Sequence, residues 1–206
     1  MTYVTLVALR HKTFHDMKND HIQRCDWPKD DPLYVKYHDE EWGVPVYDDD
    51  TLFEFLILET FQAGLSWITV LRKRENFRKA FDNFDYRKIA KYDENKYEEL
   101  LQNSGIIRNK LKIKATITNA QAFIKVQEEF GSFSKYIWGF VDGKPIKNAL
   151  VDHRNAPANT PLSDTISKDL KKRGFKFVGT TVVYAHMQAT GMVNDHEVSC
   201  FRYNEV

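Results

Sequence analysis

Apolar residues recur mostly at intervals of three and four along this chain, and β-branched runs are few and short. That spacing builds one face of a helix and does not suit the two-residue period of a strand. The pattern predicts an all-α fold. A helix is expected over 51–58, led in by Asp48, Asp49 and Asp50, because acidic groups suit the unpartnered N–H groups of a helix start. Gly64 permits a tight exit, Leu65 falls in a turn, and Ser66 can cap a second helix that begins at Trp67. Phe77 and Phe81 continue that helix face or open another. Asp93 caps a helix carrying Tyr97, Leu100 and Leu101, and Ser104-Gly105-Ile106 breaks it. A long helix follows over 108–130, with Leu111, Ala115, Ala120 and Ile124 facing inward. Ser132 caps a short helix holding Tyr136, Ile137 and Phe140. Three of the six prolines fall within 142–162, which reads as a long loop. Ser163 then opens a helix closed by Gly174, after Lys171-Lys172-Arg173. A last helix spans 180–190 and stops at Gly191, although Val182-Val183-Tyr184 has strand propensity.

The chain of 206 residues suffices for one sizeable domain. The first two dozen residues read as a flexible appendage, and Met17 is a possible natural start. Residues 25–206 are expected to form one compact domain. Net charge is +1, so any nucleic-acid contact must come from local patches. Two cysteines, far apart, do not make the disulfide framework of a small secreted protein. No stretch reaches the roughly 20 apolar residues of a membrane helix. A soluble, cytoplasmic, monomeric protein with no membrane partner is expected.

Three constellations carry chemistry. In the run around residue 59, Glu59 is a carboxylate among apolar neighbours. Burying it without a partner is costly, so it either turns to solvent or is held for a purpose. At the far end of the chain, His196 and Cys200 stand four apart, and Cys25 and His38 supply a second pair. Two Cys and two His would complete a tetrahedral zinc site with no open position. The same cysteines could instead form one disulfide, or be plain core thiols. Finally, the turn at Gly105 precedes Arg108, Lys110, Lys112 and Lys114. A helix start of this kind offers N–H groups and positive charge to a phosphate, although a basic helix face can equally be only solvated. Lys168, Lys171, Lys172, Arg173 and Lys176 form a second basic cluster.

Several blocks, in order, resemble one family. They are Asp31-Pro32-Leu33-Tyr34, Tyr37-His38-Asp39, Glu41-Trp42-Gly43-Val44-Pro45, Gln62-Ala63-Gly64-Leu65-Ser66-Trp67, Gly105-Ile106-Ile107-Arg108, the run from Lys171 to Gly179, and Asn194-Asp195-His196. Together they resemble the DNA-3-methyladenine glycosylase I family, within the helix-hairpin-helix glycosylase superfamily. The resemblance implies a structural zinc ion held by Cys25, His38, His196 and Cys200. It implies a base pocket of Glu59, Tyr34, Tyr37 and Trp67, with Trp27 near its rim, in which Tyr37 and Trp67 sandwich a ring. Gly64 and Leu65 match a turn pushed into the duplex. Gly105, Arg108, Lys110 and Lys112 are the expected backbone contacts.

The function so implied is hydrolysis of the N-glycosidic bond of 3-methyladenine in alkylated double-stranded DNA. The products are free 3-methyladenine and an abasic site. In use the enzyme would be associated with the bacterial nucleoid. Two features depart from the wider superfamily. No Asp lies between Asp93 and Asp142 to stabilise a sugar cation, and the hairpin has one glycine where many relatives have a Gly-x-Gly pair. Glu59 is therefore expected to hold the base rather than to act as a general base. A non-catalytic damage-binding module, or a glycosylase for another alkylated purine, is the alternative.

Overall fold

The computed structural model describes residues 22–206; of the flexible appendage expected over 1–24, residues 1–21 lie outside the described residues, and its last residues are fastened to the domain. Just before Cys25, Arg24 forks onto Asp39 at 2.7–2.9 Å and the Gln23 carbonyl accepts from the Phe201 N–H. The chain beside Cys25 is thus tied both to the first helix and to the last turn.

Helices dominate the described residues. α1 (Pro32–Glu40) starts at Asp31, whose carboxylate accepts from the Leu33 and Tyr34 N–H groups. α2 (Asp49–Gln62) starts as expected, with Asp48 capping Thr51. It is apolar on nearly every side from Leu52 to Phe61, so its middle is buried all round. α3 (Trp67–Leu71), α4 (Arg74–Ala80), α5 (Tyr86–Ile89), α6 (Glu94–Gln102), α7 (Lys110–Phe130) and α8 (Phe133–Trp138) follow, then α9 (Pro161–Lys172) and α10 (Thr180–Ala189). α2 packs against α3, α7, α8 and α10, which makes it the axis of one apolar core. Its first residue, Asp49, also fastens neighbours: the carboxylate accepts from Gln127 Nε2 and from the Phe133 and Ser134 N–H groups.

Several expectations shift. Ser66 makes no side-chain cap; its hydroxyl lies 2.8 Å from the Thr69 hydroxyl instead. Leu111 is 69% exposed rather than inward. The buried stripe of α7 runs through Lys112, Ile113, Thr116, Asn119, Ala120 and Phe123, one step round the helix from Leu111. α9 opens at Thr160, not Ser163. Thr160 and Ser163 form a reciprocal cap, with Pro161 at the first helical position. Val182-Val183-Tyr184 is helical as expected, with Val183, Tyr184 and Met187 on the face of α10 that meets the core. The segment 142–162 is mostly loop, but it holds β1 (Ile146–Lys147), which pairs in parallel with β2 (Val193–Asn194). That short pairing lays the loop beside the segment containing Asp195 and His196. No helix among the described residues is long and apolar enough to cross a membrane.

Candidate active site

α2 carries Glu59 on its last full turn, and the carboxyl points into a cavity instead of packing. Trp27, Tyr34, Tyr37, Trp42, Gln62 and Trp67 line that cavity on the α1–α3 side. His153, Ala156, Ala185, Gln188 and Asp195 close the other side. The expected pocket residues Trp27, Tyr34, Tyr37, Glu59 and Trp67 all meet here.

Glu59 is 3% exposed, and its Oε2 has no hydrogen-bond partner among the described residues. Burial pushes its pKa from 4.5 to about 8, since water no longer solvates the anion and no cation replaces it. Burial, reinforced by the Glu59 charge, also raises Tyr37 and Tyr34, so both phenols stay protonated.

The rings form a continuous wall. Trp27 packs edge-on against Tyr34 at 4.7 Å and Trp42 at 5.1 Å between centroids. Tyr37 and Trp67 lie 5.4 Å apart at 46°. A ring held between two others needs about 7 Å, two stacking distances of roughly 3.5 Å. Tyr37 and Trp67 touch each other, so the expected sandwich requires one ring to turn aside.

Beside this cavity the chain leaves α2 through Ala63 and Gly64, whose φ of 85° is open to glycine, and the next residue, Leu65, is 43% exposed. Nothing lies within 4 Å of a side chain built at Gly64, so conformation rather than space calls for glycine there. The α6–α7 turn approaches the same corner. Lys73, at the head of α4, donates to the Ser104 and Gly105 carbonyls of that turn at 3.4 and 3.2 Å.

The Gly105 N–H is taken by Asn103 Oδ1 at 2.8 Å, and Asn109 caps the first N–H groups of α7. Arg108 and Lys110 are exposed and remain available to a phosphate. Lys112 departs from the expected contact role. It is 6% exposed, and its amine donates to the Phe61 and Ala63 carbonyls at 3.0 and 2.8 Å.

Behind the aromatic wall, Cys25, His38 and Cys200 bring one ligand atom each within 4.8 Å of one another. No disulfide joins the two thiols. The Cys25 thiol beside it lowers the Cys200 pKa, and Cys200 Sγ lies 3.5 Å from His38 Nε2. His38 gives its other nitrogen to Asp39 at 2.7 Å, which fixes the ring with Nε2 toward the cysteines. His196 stands outside that group of three but close to it, its ring 5.1 Å from that of His38. Its Nδ1 is 3.1 Å from Asn194 Oδ1, while its Nε2 is buried with no partner. Burial, with His38 beside it, lowers the His196 pKa to about 3, so the imidazole is neutral and can offer a lone pair.

Sequence reasoning gave no role to Trp42, Gln62, His153, Gln188 or Asp195. Trp42, Gln62 and Asp195 sit inside blocks already singled out, so the signal was present. Asp195 accepts from Tyr184, Asn148 and Gln188, and buried Glu197 holds His153 Nδ1 at 3.0 Å. Asn148 and His153 come from more than forty residues away and are joined to this segment only by the fold.

A family model described as methyladenine glycosylase matches residues 27–203. The DNA-3-methyladenine glycosylase 1 of Escherichia coli (strain K12) is 50% identical over 182 residues, covering 88% of this chain and 97% of the relative. The Haemophilus influenzae (strain ATCC 51907 / DSM 11121 / KW20 / Rd) DNA-3-methyladenine glycosylase is 48% identical over 177 residues, 86% of this chain and 96% of that one. Among solved structures, a crystal structure of a 3-methyladenine DNA glycosylase I superposes with a TM-score of 0.85 at 54% identity, covering 87% of this chain and 98% of its own. The Staphylococcus aureus enzyme, solved to show how it recognises 3-methyladenine, gives 0.84 at 35% identity over 87% and 96%. With the family model matching residues 27–203 and relatives about half identical over most of its length, the chain belongs to the methyladenine glycosylase family.

Proposed function

We infer that this chain is a monofunctional DNA-3-methyladenine glycosylase, which hydrolyses the N-glycosidic bond of 3-methyladenine in alkylated duplex DNA and leaves an abasic site. The observation that carries the reading is Glu59, a carboxyl buried in an aromatic cavity with an unpartnered oxygen. A base reaches such a cavity only by leaving the helix, at a cost of a few kcal/mol of unstacking. Leu65 fills the space it leaves, and Arg108 and Lys110 hold the backbone beside the α6–α7 turn, read here as a helix-hairpin-helix grip.

Selection follows from charge. A 3-alkylated adenine is cationic in the nucleotide, which suits aromatic faces. By itself Glu59 is a neutral acid at pH 7. A cationic base beside it favours the carboxylate, so the lesion displaces the proton and Glu59, now ionised, accepts charge-assisted hydrogen bonds from the amino edge of the base. Guanine presents a carbonyl oxygen on the matching edge and is repelled. Alkylation has already weakened the glycosidic bond. As it breaks, its electron pair neutralises the base, and water bonds to the sugar carbon and gives up a proton. No lysine lines the cavity among the described residues, which supports a mechanism without a Schiff base or strand cleavage.

We also propose that Cys25, His38, His196 and Cys200 hold a structural zinc ion. The donor set fits: two thiols, an imidazole oriented by Asp39, and a second imidazole whose buried Nε2 has no other partner. Four protein ligands leave no position for water, so the ion would fasten residues 25–38 to residues 196–200 and take no part in hydrolysis. On this reading the protein is a monomer of one domain.

The test is incubation with methylated duplex DNA and chromatography of the freed bases. Release of 3-methyladenine, with strands intact until alkali, is expected. Retention on damaged DNA with no freed base would overturn the reading in favour of a binding module.

A further inference from the structure

We propose that Lys112 is a positioning residue for this reaction, bracing the Leu65 turn against the hairpin that grips the backbone. The idea rests on the wedge role given to Leu65 above. The Phe61 and Ala63 carbonyls belong to the last turn of α2, immediately before Gly64 and Leu65. Carbonyls at a helix end have no N–H partner within the helix and lie at its negative pole. The Lys112 amine bonds both of them from the first turn of α7, the helix that opens from the hairpin.

A second lysine runs the other way. Lys73 lies past the wedge, at the junction of α3 and α4, and its amine reaches the Ser104 and Gly105 carbonyls of the hairpin turn. The two elements are thus laced together in both directions. Gly105 tightens the seam, since a methyl group there would stand 3.3 Å from the Asn76 side chain of α4. Leu65 itself is exposed on a glycine turn, with open space beside Gly64. A side chain pushed between stacked bases meets a restoring force, and here that force passes to the end of α2. Lys112 holds that end at a fixed offset from the phosphate grip, so gripping the backbone and inserting the wedge occur in register. Exposed lysines of α7 carry charge to DNA; this one is buried, with its amine occupied within the protein.

The experiment uses the full chain with Lys112→Met, which keeps the stem and deletes the amine, and Lys112→Gln, which restores one donor. Single-turnover release from methylated duplex is measured beside quenching of tryptophan fluorescence by free 3-methyladenine. Lys112→Met is expected to slow duplex release about tenfold, as loss of a charged hydrogen-bond donor does. Free-base affinity should stay at the parental value, because Lys112 does not line the cavity. Lys112→Gln should fall between the two. In a Leu65→Ala background Lys112→Met should cost less than about twofold more, since coupled residues are not additive.

Parental release by Lys112→Met, or loss of free-base binding in both variants, overturns the proposal. If Lys112→Met does not fold, Lys112→Gln in the same cycle decides. Should Leu65→Ala slow release and the two factors simply multiply, the wedge stands and the brace falls. Should Leu65→Ala alone release base at the parental rate, the wedge reading falls and takes the brace with it.

Discussion

Replacing Glu59 with Gln should weaken the enzyme and stabilise the fold, and the second effect depends on pH. In the unfolded chain this carboxyl loses its proton near 4.5; in the folded protein it keeps it to about 8. Between those values the folded state binds more protons, so its stability is complete below about pH 4.5 and falls as pH rises toward 8. At pH 7 the difference amounts to about 2.5 pH units at 1.36 kcal/mol each, or about 3 kcal/mol. Glutamine fills the same space and never ionises.

Glu59→Gln should therefore melt about 6–12 °C above the parent at pH 7, with the gap closing as pH falls to 4.5. Differential scanning calorimetry across that range reads the gap directly. Base release should move the other way, about ten- to a hundredfold slower, because the amide cannot form charge-assisted bonds to a cationic base. A melting gap that stays constant from pH 4.5 to 8 would refute the claim that the cavity holds this group protonated, and the proton displacement argued for the lesion would go with it.

Purified protein should contain about one zinc ion per chain by elemental analysis, and Cys200→Ser should lose it and melt earlier, with a strong chelator doing the same to the parent. Arg108→Ala and Lys110→Ala should each weaken binding to any duplex and reduce the slope of log affinity against log salt by about one, read by fluorescence anisotropy. Asp49→Ala should cost about 1–3 kcal/mol in urea unfolding, because Gln127 and the start of α8 lose their acceptor, while the identity of the released base stays the same.

Much of the helical plan was legible because local chemistry decides it. Asp48 and Asp93 cap where expected, and Gly64 and Gly174 stop helices at positive φ. Glu59 could be singled out because an ionisable residue inside an apolar run is anomalous at the level of sequence. What sequence could not give was the rotation of a helix about its own axis. Leu111 and Lys112 exchange their expected places because a buried amine finds two carbonyls some fifty residues back in the chain. His153 was missed for a related reason: its partner Glu197 comes from a segment brought beside it by the β1–β2 pairing, as Asn148 is brought to Asp195. Tyr37 and Trp67 share the cavity as expected but lie 5.4 Å apart rather than on either side of a ring, because their separation and tilt are set by packing, which residue type does not encode.

The placement of Trp27 and Trp42 has a consequence for synthesis. Both rings wall the cavity, and both also rest on the histidines behind it, Trp27 on His38 at 5.2 Å and Trp42 on His196 at 4.6 Å. One support arrives early from the ribosome and the other almost last. Until the segment with His196 and Cys200 emerges, Trp42 lacks its support and only the Trp27 half of the wall is backed, however much of α2 has already formed. A nascent chain carrying Glu59 but still lacking that segment should therefore be blind to damage, and competence should arrive in a single late step.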